Sequence, residues 1–440
     1  MSSTTTYKGY KVLTPEPSKE GGQDLNFNFK KIGDDVESIN ASLDAQPLLL
    51  TEVTSGDAIV VNDGTVGTVA LRGTSAVDLQ STRNTSTQVA SGNYSFIAGG
   101  SRNSALGTNS YAEGYSSTAI ANYSHAEGNA STAKGLGSHA QGQTNIASGS
   151  YSHSEGGSSL SVGDYSHTEG FSTTAVGSAS HSEGQLTTAV GNYSHAEGQS
   201  TISKDFYSHA EGFTTVAHGI ASHAEGNTTT AIGSASHSEG NNTTAIGNYS
   251  HAEGYYTTAV GISAHSEGYY TTAIGDYSHS QGIYSVSNLK TQNSFSSGTF
   301  TYNNGDAQGS RVVAYGKTTS NSSTSIYVGN SSANRLVIPS DSTWTFSILV
   351  VGRNAGANEA AGYKVEGVID NNGGTVALIG SVTTTTLGET VSGWDATAIA
   401  DNVNKALDIK VTGSTSSNGV LWVAVVNLAQ VTGTGVPTPP

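Results

Sequence analysis

The chain has 440 residues, of which 35% are hydrophobic and 12% are charged, with 55 glycines and no cysteine. Its formal net charge of −16 argues against nucleic acid and anionic membrane surfaces as partners, because phosphate contacts need clustered lysine and arginine. The lack of cysteine excludes disulfides and thiolate metal sites, and the composition favours a repeat architecture over one large globular core.

Residues 1–46 contain a heptad pattern. Six apolar side chains follow one another at spacings of four and three: Leu25, Phe29, Ile32, Val36, Ile39 and Leu43. This pattern predicts a short coiled coil that holds a trimer together. The alternative is a single amphipathic helix packed on its own chain, and Gly33 within the pattern weakens either helix.

The segment from Thr14 to Phe29, TPEPSKEGGQDLNFNF, resembles the N-terminal segments by which phage tail fibres and baseplate-proximal proteins join the tail. The resemblance implies that residues 1–46 anchor the chain to a virion tail or baseplate protein. No apolar stretch of signal-peptide length begins the chain, and no run approaches the ~20 apolar residues of a membrane helix. We therefore expect synthesis in a host cytoplasm and no membrane insertion.

Residues 47–92 alternate between apolar and polar segments. Ala58 to Val61 and Thr68 to Leu71 have strand character, and the turn signal Asn62-Asp63-Gly64 lies between them. A small β adaptor is predicted here.

A 14-residue repeat dominates residues 93–283. Twelve of the 13 histidines recur at strict intervals of 14: His125, His139, His153, His167, His181, His195, His209, His223, His237, His251, His265 and His279. Each lies in a Ser-His-x-Glu-Gly unit, with Gln141 and Gln281 replacing glutamate in two copies and Ala264 replacing serine in one. A second motif, Thr-Thr-Ala-Ile/Val-Gly, lies between these units, so each period predicts two short strands and two glycine corners of positive φ.

Fourteen residues are too few for a helical repeat, so the period predicts a β-solenoid of about 13 coils, stacked at roughly 4.8 Å and together on the order of 65 Å long. A coil this small encloses only a few small side chains. Apolar residues at one position of the repeat, including Val176, Val190, Ile232, Ile246, Val260 and Ile274, would be better buried if three chains packed together.

Over residues 97–282, the alternation of Ala-Ile-Gly with Ser-His-Ala-Glu-Gly resembles the head repeat of trimeric autotransporter adhesins. The resemblance implies a left-handed parallel β-roll that is homotrimeric, and phage fibres use a similar roll. The predicted fold class is therefore mainly β: a homotrimeric parallel β-roll solenoid with a short N-terminal coiled coil and a C-terminal antiparallel β-sandwich.

The Ser-His-x-Glu unit invites a catalytic interpretation, which its geometry opposes. In a strand, histidine and the glutamate two residues later share one face, while the preceding serine points to the other. A structural ladder is favoured, with glutamates at Glu127, Glu155, Glu169, Glu183, Glu197, Glu211, Glu225, Glu239, Glu253 and Glu267. We expect hydrogen bonds between glutamates and histidines of neighbouring chains or coils, which would raise the histidine pKa and lower the glutamate pKa.

Stacked imidazoles and carboxylates also offer nitrogen and oxygen metal ligands, and whether the roll binds ions stays open. No other cofactor is expected. Tyr255 and Tyr256 recur one period later as Tyr269 and Tyr270, which predicts two stacked aromatic ladders that stabilise the sheet or contact a sugar.

Residues 284–298 are predicted to be a polar linker, and residues 299–440 an antiparallel sandwich or jelly roll of roughly eight strands. All three tryptophans lie in this last region, with Trp344 and Trp422 in apolar runs and Trp394 expected to be exposed and available to a ligand. The stretch from Trp344 to Gly374 resembles the C-terminal domain of many phage tail fibres, which implies a distal tip.

Together these features predict a non-enzymatic phage tail fibre in the virion. Its N-terminus would join the tail or baseplate, and its distal domain would contact a host glycan or protein. A cell-surface trimeric adhesin is an alternative, which should carry a signal peptide and a membrane-anchor barrel. A polysaccharide-cleaving tailspike is another, which would need paired carboxylates on a sugar-binding groove.

Overall fold

The computed structural model describes residues 72–433 except 302, 355, 416 and 417, together with the backbone of residues 4–7, 10–13, 50–53 and 58–61. These residues form strands and turns, with no helix among them. No helix long and apolar enough to cross a membrane therefore occurs in the described part of the chain. The predicted coiled coil of residues 24–45 lies outside it. The chain divides into two compact units, residues 1–128 and 129–440.

The first unit contains two antiparallel hairpins, Thr4–Tyr7 with Tyr10–Leu13 and Leu50–Val53 with Ala58–Val61. The predicted turn at Asn62 to Gly64 and strand at Thr68 to Leu71 lie outside the described residues. A parallel ladder follows, whose strands are Val77–Asp78, Phe96–Ile97, Tyr111–Ala112 and His125–Asn129. A parallel ladder is thus already present inside the predicted adaptor, at Val77. A shorter ladder pairs Ser104–Ala105 with Thr118–Ala119.

In the second unit, residues 130–297 form a parallel β-solenoid, here called the coil stack. Each coil contributes one long and one short strand, and each strand pairs in register with its equivalent 14 residues later, as His195 does with His209. The long strands are His139–Gln143, His153–Gly157, His167–Phe171, His181–Gln185, His195–Gln199, His209–Phe213, His223–Asn227, His237–Asn241, His251–Tyr255, His265–Tyr269, His279–Ile283 and Asn293–Ser297. The short strands are Thr132–Ala133, Ile146–Ala147, Leu160–Ser161, Thr174–Ala175, Thr188–Ala189, Ile202–Ser203, Val216–Ala217, Thr230–Ala231, Thr244–Ala245, Thr258–Ala259, Thr272–Ala273 and Val286–Ser287.

The corners of the coils differ in part from the prediction. Gly254, in the Glu-Gly pair, has a φ of 109° as expected. The other left-handed positions recur every seven residues and are mostly not glycine: Tyr249, Tyr256 and Ser263 have φ values of 59°, 52° and 52°. Gly261 serves a different purpose, since a Cβ atom there would lie 2.3 Å from the carbonyl oxygen of Gly275. That glycine is needed for close approach of neighbouring coils.

The interior of each coil is filled by small side chains. In one coil Ser250, Ala252, Thr257 and Ala259 are at most 1% exposed, while the histidine and glutamate point outward. The apolar stripe, defined here as Val162, Val176, Val190, Ile232, Ile246, Val260 and Ile274, is 37–45% exposed. The chain alone therefore leaves this row of apolar side chains partly in contact with water.

The predicted linker of residues 284–298 is a further coil. Val286–Ser287 pairs with Thr272–Ala273, and Asn293–Ser297 pairs with His279–Ile283, both in the 14-residue register. Ser294 and Ser296 are buried, so their polar composition marks a coil interior. The sequence prediction was wrong here because serine is an inward residue in this solenoid.

Among the described residues, the C-terminal domain comprises nine antiparallel strands that begin where the coils end. Their bounds are Ala307–Thr318, Thr324–Val328, Leu336–Val337, Ser342–Asn354, Glu359–Asn372, Thr375–Glu389, Asp395–Asp401, Ala406–Thr412 and Val420–Thr432. Ala307–Thr318 pairs with the last long strand of the coil stack, Asn293 facing Arg311. The domain therefore covers the end of the ladder, whose backbone groups would otherwise be unpaired.

Val420–Thr432 lies between Ala307–Thr318 and Ser342–Asn354, and the pairing continues outward through Glu359–Asn372 to Thr375–Glu389. A second group pairs Ala406–Thr412 with Asp395–Asp401, Thr324–Val328 and Leu336–Val337. The two groups share one apolar core that includes Trp344, Trp422 and Phe346.

Candidate functional site

The most regular chemical feature is the His ladder, His139 and every fourteenth residue to His279. Consecutive rings stack with centroids 4.6–4.9 Å apart, as in the pair His195 and His209 at 4.8 Å and an interplanar angle of 5°. The parallel register places each imidazole above its equivalent, which the 14-residue period predicts. The ladder therefore forms one continuous row of ring nitrogens on the coil stack.

Seven histidines of the ladder approach the carboxylate two residues later in their own strand: His153, His181, His195, His209, His223, His237 and His251. The distance from His195 Nε2 to Glu197 Oε2 is 3.4 Å, and that from His223 to Glu225 is 3.7 Å. Yet Nε2 of His195 and of His223 is inaccessible to solvent and forms no hydrogen bond. His279 differs, because its Nε2 lies 3.2 Å from Glu267 of the preceding coil in hydrogen-bonding geometry.

The prediction that the histidine pKa is raised is wrong. Partial burial, and then the neighbouring stacked histidines, lower the pKa of His153, His181, His209, His223, His251 and His265. The nearby carboxylates act in the opposite direction but with smaller effect. These six imidazoles are therefore mainly neutral at pH 7, and their contribution to stability is lost as pH falls through the lowered pKa values.

The glutamates form a parallel row beside the histidines. The pKa of Glu225 and of Glu253 is raised to about 7, first by hydrogen bonding to Glu239 and then by burial. The pKa of Glu239 is lowered by its hydrogen bonds to both. The expected lowering thus applies to only one of these three carboxylates. The contribution of Glu225 and Glu253 to stability is present below their ordinary pKa and lost as pH rises through about 7.

An open groove of about 950 Å³ runs along this glutamate row. Its walls are the carboxylates of Glu211, Glu225, Glu239, Glu253 and Glu267, the glycines that follow four of them, and Gln281, Gly282 and Phe295 at the C-terminal end. The groove is a consequence of the Glu-Gly pair, since glycine leaves space beside every carboxylate. The motif placed the carboxylates, but no sequence signal showed that they line a groove.

The serine of the Ser-His unit points away from the histidine. Ser250 is 1% exposed, and its Oγ donates to the carbonyl oxygen of Gly247 at 2.6 Å. Ser194 donates to Gly191 in the same way. The Ser-His pair therefore closes a turn and does not form a nucleophile and base.

The predicted tyrosine ladders are present. Tyr255 stacks on Tyr269 at 5.2 Å and Tyr256 on Tyr270 at 4.8 Å, and Tyr284 extends the second row at 5.2 Å from Tyr270. Tyr255, Tyr256 and Tyr269 are 40–42% exposed. The rows present partly exposed aromatic faces near the C-terminal end of the coil stack.

Trp394 was expected to be exposed and is instead 4% exposed, packed at 5.5 Å from Trp422. The flanking Gly393 and Asp395 gave no sign of this contact. The C-terminal domain has a different concave surface, here called the sheet groove, of about 500 Å³. It is lined by Thr345, Phe346, Ser347, Glu366, Gly367, Val368, Ser381, Thr383, Asn427, Leu428 and Ala429. A β-bulge between Glu366 and Val368 lies within it.

Comparison with known proteins supports the resemblance of the repeat. The YadA head domain repeat (2 copies) matches residues 104–120, 210–236, 224–250 and 252–278. The similarity to an adhesin head repeat is thus confirmed for these residues. None of the curated proteins compared with the chain matches it.

Among solved structures, the chain is similar to the tailspike protein gp49 of Acinetobacter baumannii bacteriophage Fri1, a capsular polysaccharide depolymerase. The identity is 8% and the TM-score is 0.23, and the match covers 76% of this chain and 61% of the tailspike. The chain therefore corresponds to less than two thirds of that protein.

This match contradicts the prediction of a non-enzymatic chain, because the matched protein is a depolymerase. The prediction rested on the poor geometry of the Ser-His pair, and that argument does not extend to the carboxylates of the groove. At this TM-score the match does not itself assign an activity.

Proposed function

We propose that the chain is a homotrimeric attachment fibre of a bacteriophage virion. Residues 1–46 join the tail or baseplate, the coil stack is the spacer, and the C-terminal domain, a β-sandwich, is the tip that contacts a glycan or protein of the host. The observation that supports this most is the direct pairing of Asn293–Ser297 with Ala307–Thr318. It fixes a domain with its own core to one end of a regular ladder, as a fibre tip requires.

The apolar stripe supports the trimer. Full burial of a valine or isoleucine side chain contributes about 1.5–3 kcal/mol, so covering the exposed 37–45% of each contributes about 1 kcal/mol per residue. Seven such residues at a spacing of 14 form a straight row along the coil stack, interrupted only by Lys204 and His218. A second and third copy would cover this row continuously.

The oligomeric state tests the trimer. We expect light scattering of the full chain to give three times the monomer mass, and the pair of substitutions Ile246→Lys and Val260→Lys to shift the mass toward the monomer. The control pair Gln185→Lys and Gln199→Lys adds the same charge at exposed positions outside the stripe. A monomeric full chain, or equal dissociation by both pairs, would contradict the trimer.

Host contact is tested with the full chain, because cutting at residue 284 would divide a coil. We expect the fluorescently labelled protein to bind some isolates of a bacterial panel. Changing the sheet groove, by Glu366→Gln with Asn427→Ala, should weaken that binding by 10-fold or more if two hydrogen bonds to the receptor are lost, at about 1 kcal/mol or more each. The matched control is Val403→Ala, at a side chain 90% exposed elsewhere on the domain. If neither the double variant nor the control changes binding, the sheet groove is not part of the contact with the host.

A second candidate function is cleavage of a polysaccharide in the groove of glutamates. The observation that favours it is the opposite displacement of the pKa of Glu239 and of its neighbours Glu225 and Glu253, since glycosidases separate an acid from a base in this way. A coil spacing of about 4.8 Å is also near the separation of a retaining pair. Incubation with capsular polysaccharides should release reducing ends, and Glu239→Gln should abolish the release. If no polysaccharide is cleaved, this candidate is excluded for the panel used.

A further inference from the structure

The ring nitrogens of the His ladder are buried in a way that protein groups alone do not satisfy. In the coils from His153 to His265, every ladder Nε2 atom is inaccessible to solvent and forms no hydrogen bond. A buried polar atom without a partner is unfavourable, and such atoms in ordered structures commonly mark an ion or water site. This cost recurs in each of these coils, so one type of ligand would relieve all of them.

Each of these nitrogens faces the same set of neighbours. His195, Glu197 and His209 each offer one atom, and the three atoms lie within 4.8 Å of one another. The same holds for the set His167, Glu169 and His181 and for the set His209, Glu211 and His223. Two imidazole nitrogens and one carboxylate oxygen are ligands of a divalent transition-metal ion such as Zn²⁺.

The distances are close to those that coordination requires. Bonds of about 2.0–2.1 Å hold tetrahedral ligands about 3.3 Å apart. His195 Nε2 and Glu197 Oε2 are 3.4 Å apart, and His181 and Glu183 are 3.5 Å apart. The second imidazole, stacked at 4.8 Å, needs only a tilt of its ring to approach the same point.

We propose that the coil stack binds divalent transition-metal ions between the His ladder and the glutamate row, one ion for every two coils. The stoichiometry follows from the chemistry of the ligands. An imidazole Nε2 has one lone pair, so each histidine binds one ion, and each ion uses the histidines of two successive coils. The eleven histidines of the His ladder therefore accommodate at most five ions per chain.

The charge of the glutamates leads to the same ratio of one ion for every two coils. Two coils carry two glutamates, so one divalent ion neutralises the carboxylates of the coils it occupies. Ions in every coil would lie about 4.8 Å apart and repel one another strongly, whereas ions in alternate coils lie about 9.6 Å apart. Metal binding thus also relieves the repulsion between stacked carboxylates that otherwise makes them share protons.

The test is a zinc titration of the untagged full chain after treatment with a chelator. We expect calorimetry and metal analysis after gel filtration to give more than one and at most five Zn²⁺ per chain. X-ray absorption should show two imidazoles per ion. Fewer than one ion per chain, or sites with no imidazole, would overturn the proposal.

The chain provides its own control substitutions. Glu197→Gln, Glu211→Gln and Glu225→Gln reproduce the natural residues Gln141 and Gln281, so the coils should still fold, as circular dichroism can verify. We expect the number of tight sites to fall and the affinity of the altered coils to drop at least about 10-fold, since even loss of an outer-shell partner costs that much. His218, the one histidine outside the repeat, serves as the matched control, and His218→Asn should leave the stoichiometry unchanged. Equal effects of the two changes, or no effect of the first, would show that zinc binds elsewhere.

Discussion

The coil stack and the C-terminal domain organise β-structure in opposite ways. Most coils bury only alanine, serine and threonine, whereas the C-terminal domain buries Trp344, Trp422 and Phe346 in one core. Regular backbone pairing and close approach of coils stabilise the first region, while apolar burial stabilises the second. A chain can therefore build a long element from very small residues if each layer repeats the one beneath it.

The largest expected effect lies in the C-terminal core. Trp422 is 1% exposed and its Nε1 donates to Thr318 Oγ1 at 3.0 Å. Trp422→Ala should lower the free energy of unfolding of this domain by about 3–5 kcal/mol. Fluorescence of the remaining tryptophans reports on this region alone during denaturation, because all three lie here. Leu421→Ala, at a side chain 56% exposed, is the control. An equal loss in both variants would show that the core is not the main stabilising element.

The second prediction concerns overpacking of a coil. Ala252 is fully buried between Ser238 and Ser266 of the neighbouring coils. Ala252→Leu adds volume that the coil has no space for and should cost about 1–3 kcal/mol. Circular dichroism during denaturation measures the loss. A neutral result would mean that the coil interior is larger than the structure shows.

A smaller effect is expected at the start of the C-terminal domain. Asp306 is 2% exposed and accepts hydrogen bonds from Thr299, Phe300 and Thr301. Burial raises its pKa, but these hydrogen bonds outweigh burial and lower it. Its contribution to stability is therefore present above the pKa of an unfolded aspartate, near 4, and lost as pH falls through the folded value.

Asp306→Asn should accordingly destabilise the protein by about 1–1.5 kcal/mol at pH 7, the difference between charged and neutral hydrogen bonds. Melting of both proteins as a function of pH checks this. The difference should be constant above about pH 5 and shrink in acid. A difference that grows in acid would contradict the assigned direction.

The smallest effect is a stabilisation. In three coils the serine after histidine bonds the threonine five residues later, as Ser238 does with Thr243 at 2.7 Å and Ser266 with Thr271 at 2.8 Å. Where alanine stands instead, as at Ala252, the Oγ1 of Thr257 is buried without a hydrogen bond. Ala252→Ser should therefore raise the free energy of unfolding by about 0.5–1 kcal/mol.

The same denaturation experiment measures this increase. Ala259→Ser places a hydroxyl in the other strand of the same coil and is the matched comparison. Stabilisation by both changes would point to a general preference for serine and away from the specific contact with Thr257.

The 14-residue period was enough to predict the parallel solenoid, the stacking of the histidines and the tyrosine rows. Strand alternation also predicted that histidine and glutamate share the outer face. These predictions are confirmed because register and side-chain alternation are properties of the backbone that identical repeats impose on every coil.

Features that depend on surroundings were not predictable in the same way. The direction of the histidine pKa depends on burial and on stacked neighbours, which the motif does not reveal. Trp394 is covered by Trp422, a contact between segments distant in sequence. The coil at residues 284–297 was missed because its first long-strand residue is Asn293 instead of histidine, although it keeps the spacing of 14 from His279.

The left-handed residues at every seventh position divide each coil into two similar halves. A deletion of seven residues would therefore exchange the positions of the Ser-His-x-Glu-Gly and Thr-Thr-Ala-Ile/Val-Gly motifs. A deletion of fourteen residues would leave every remaining coil intact. Because neighbouring coils are nearly identical in sequence, recombination between their coding segments should remove or add whole layers. We expect related chains to differ in reach by steps of about 4.8 Å, so that the length of the protein can be adjusted without redesigning either end.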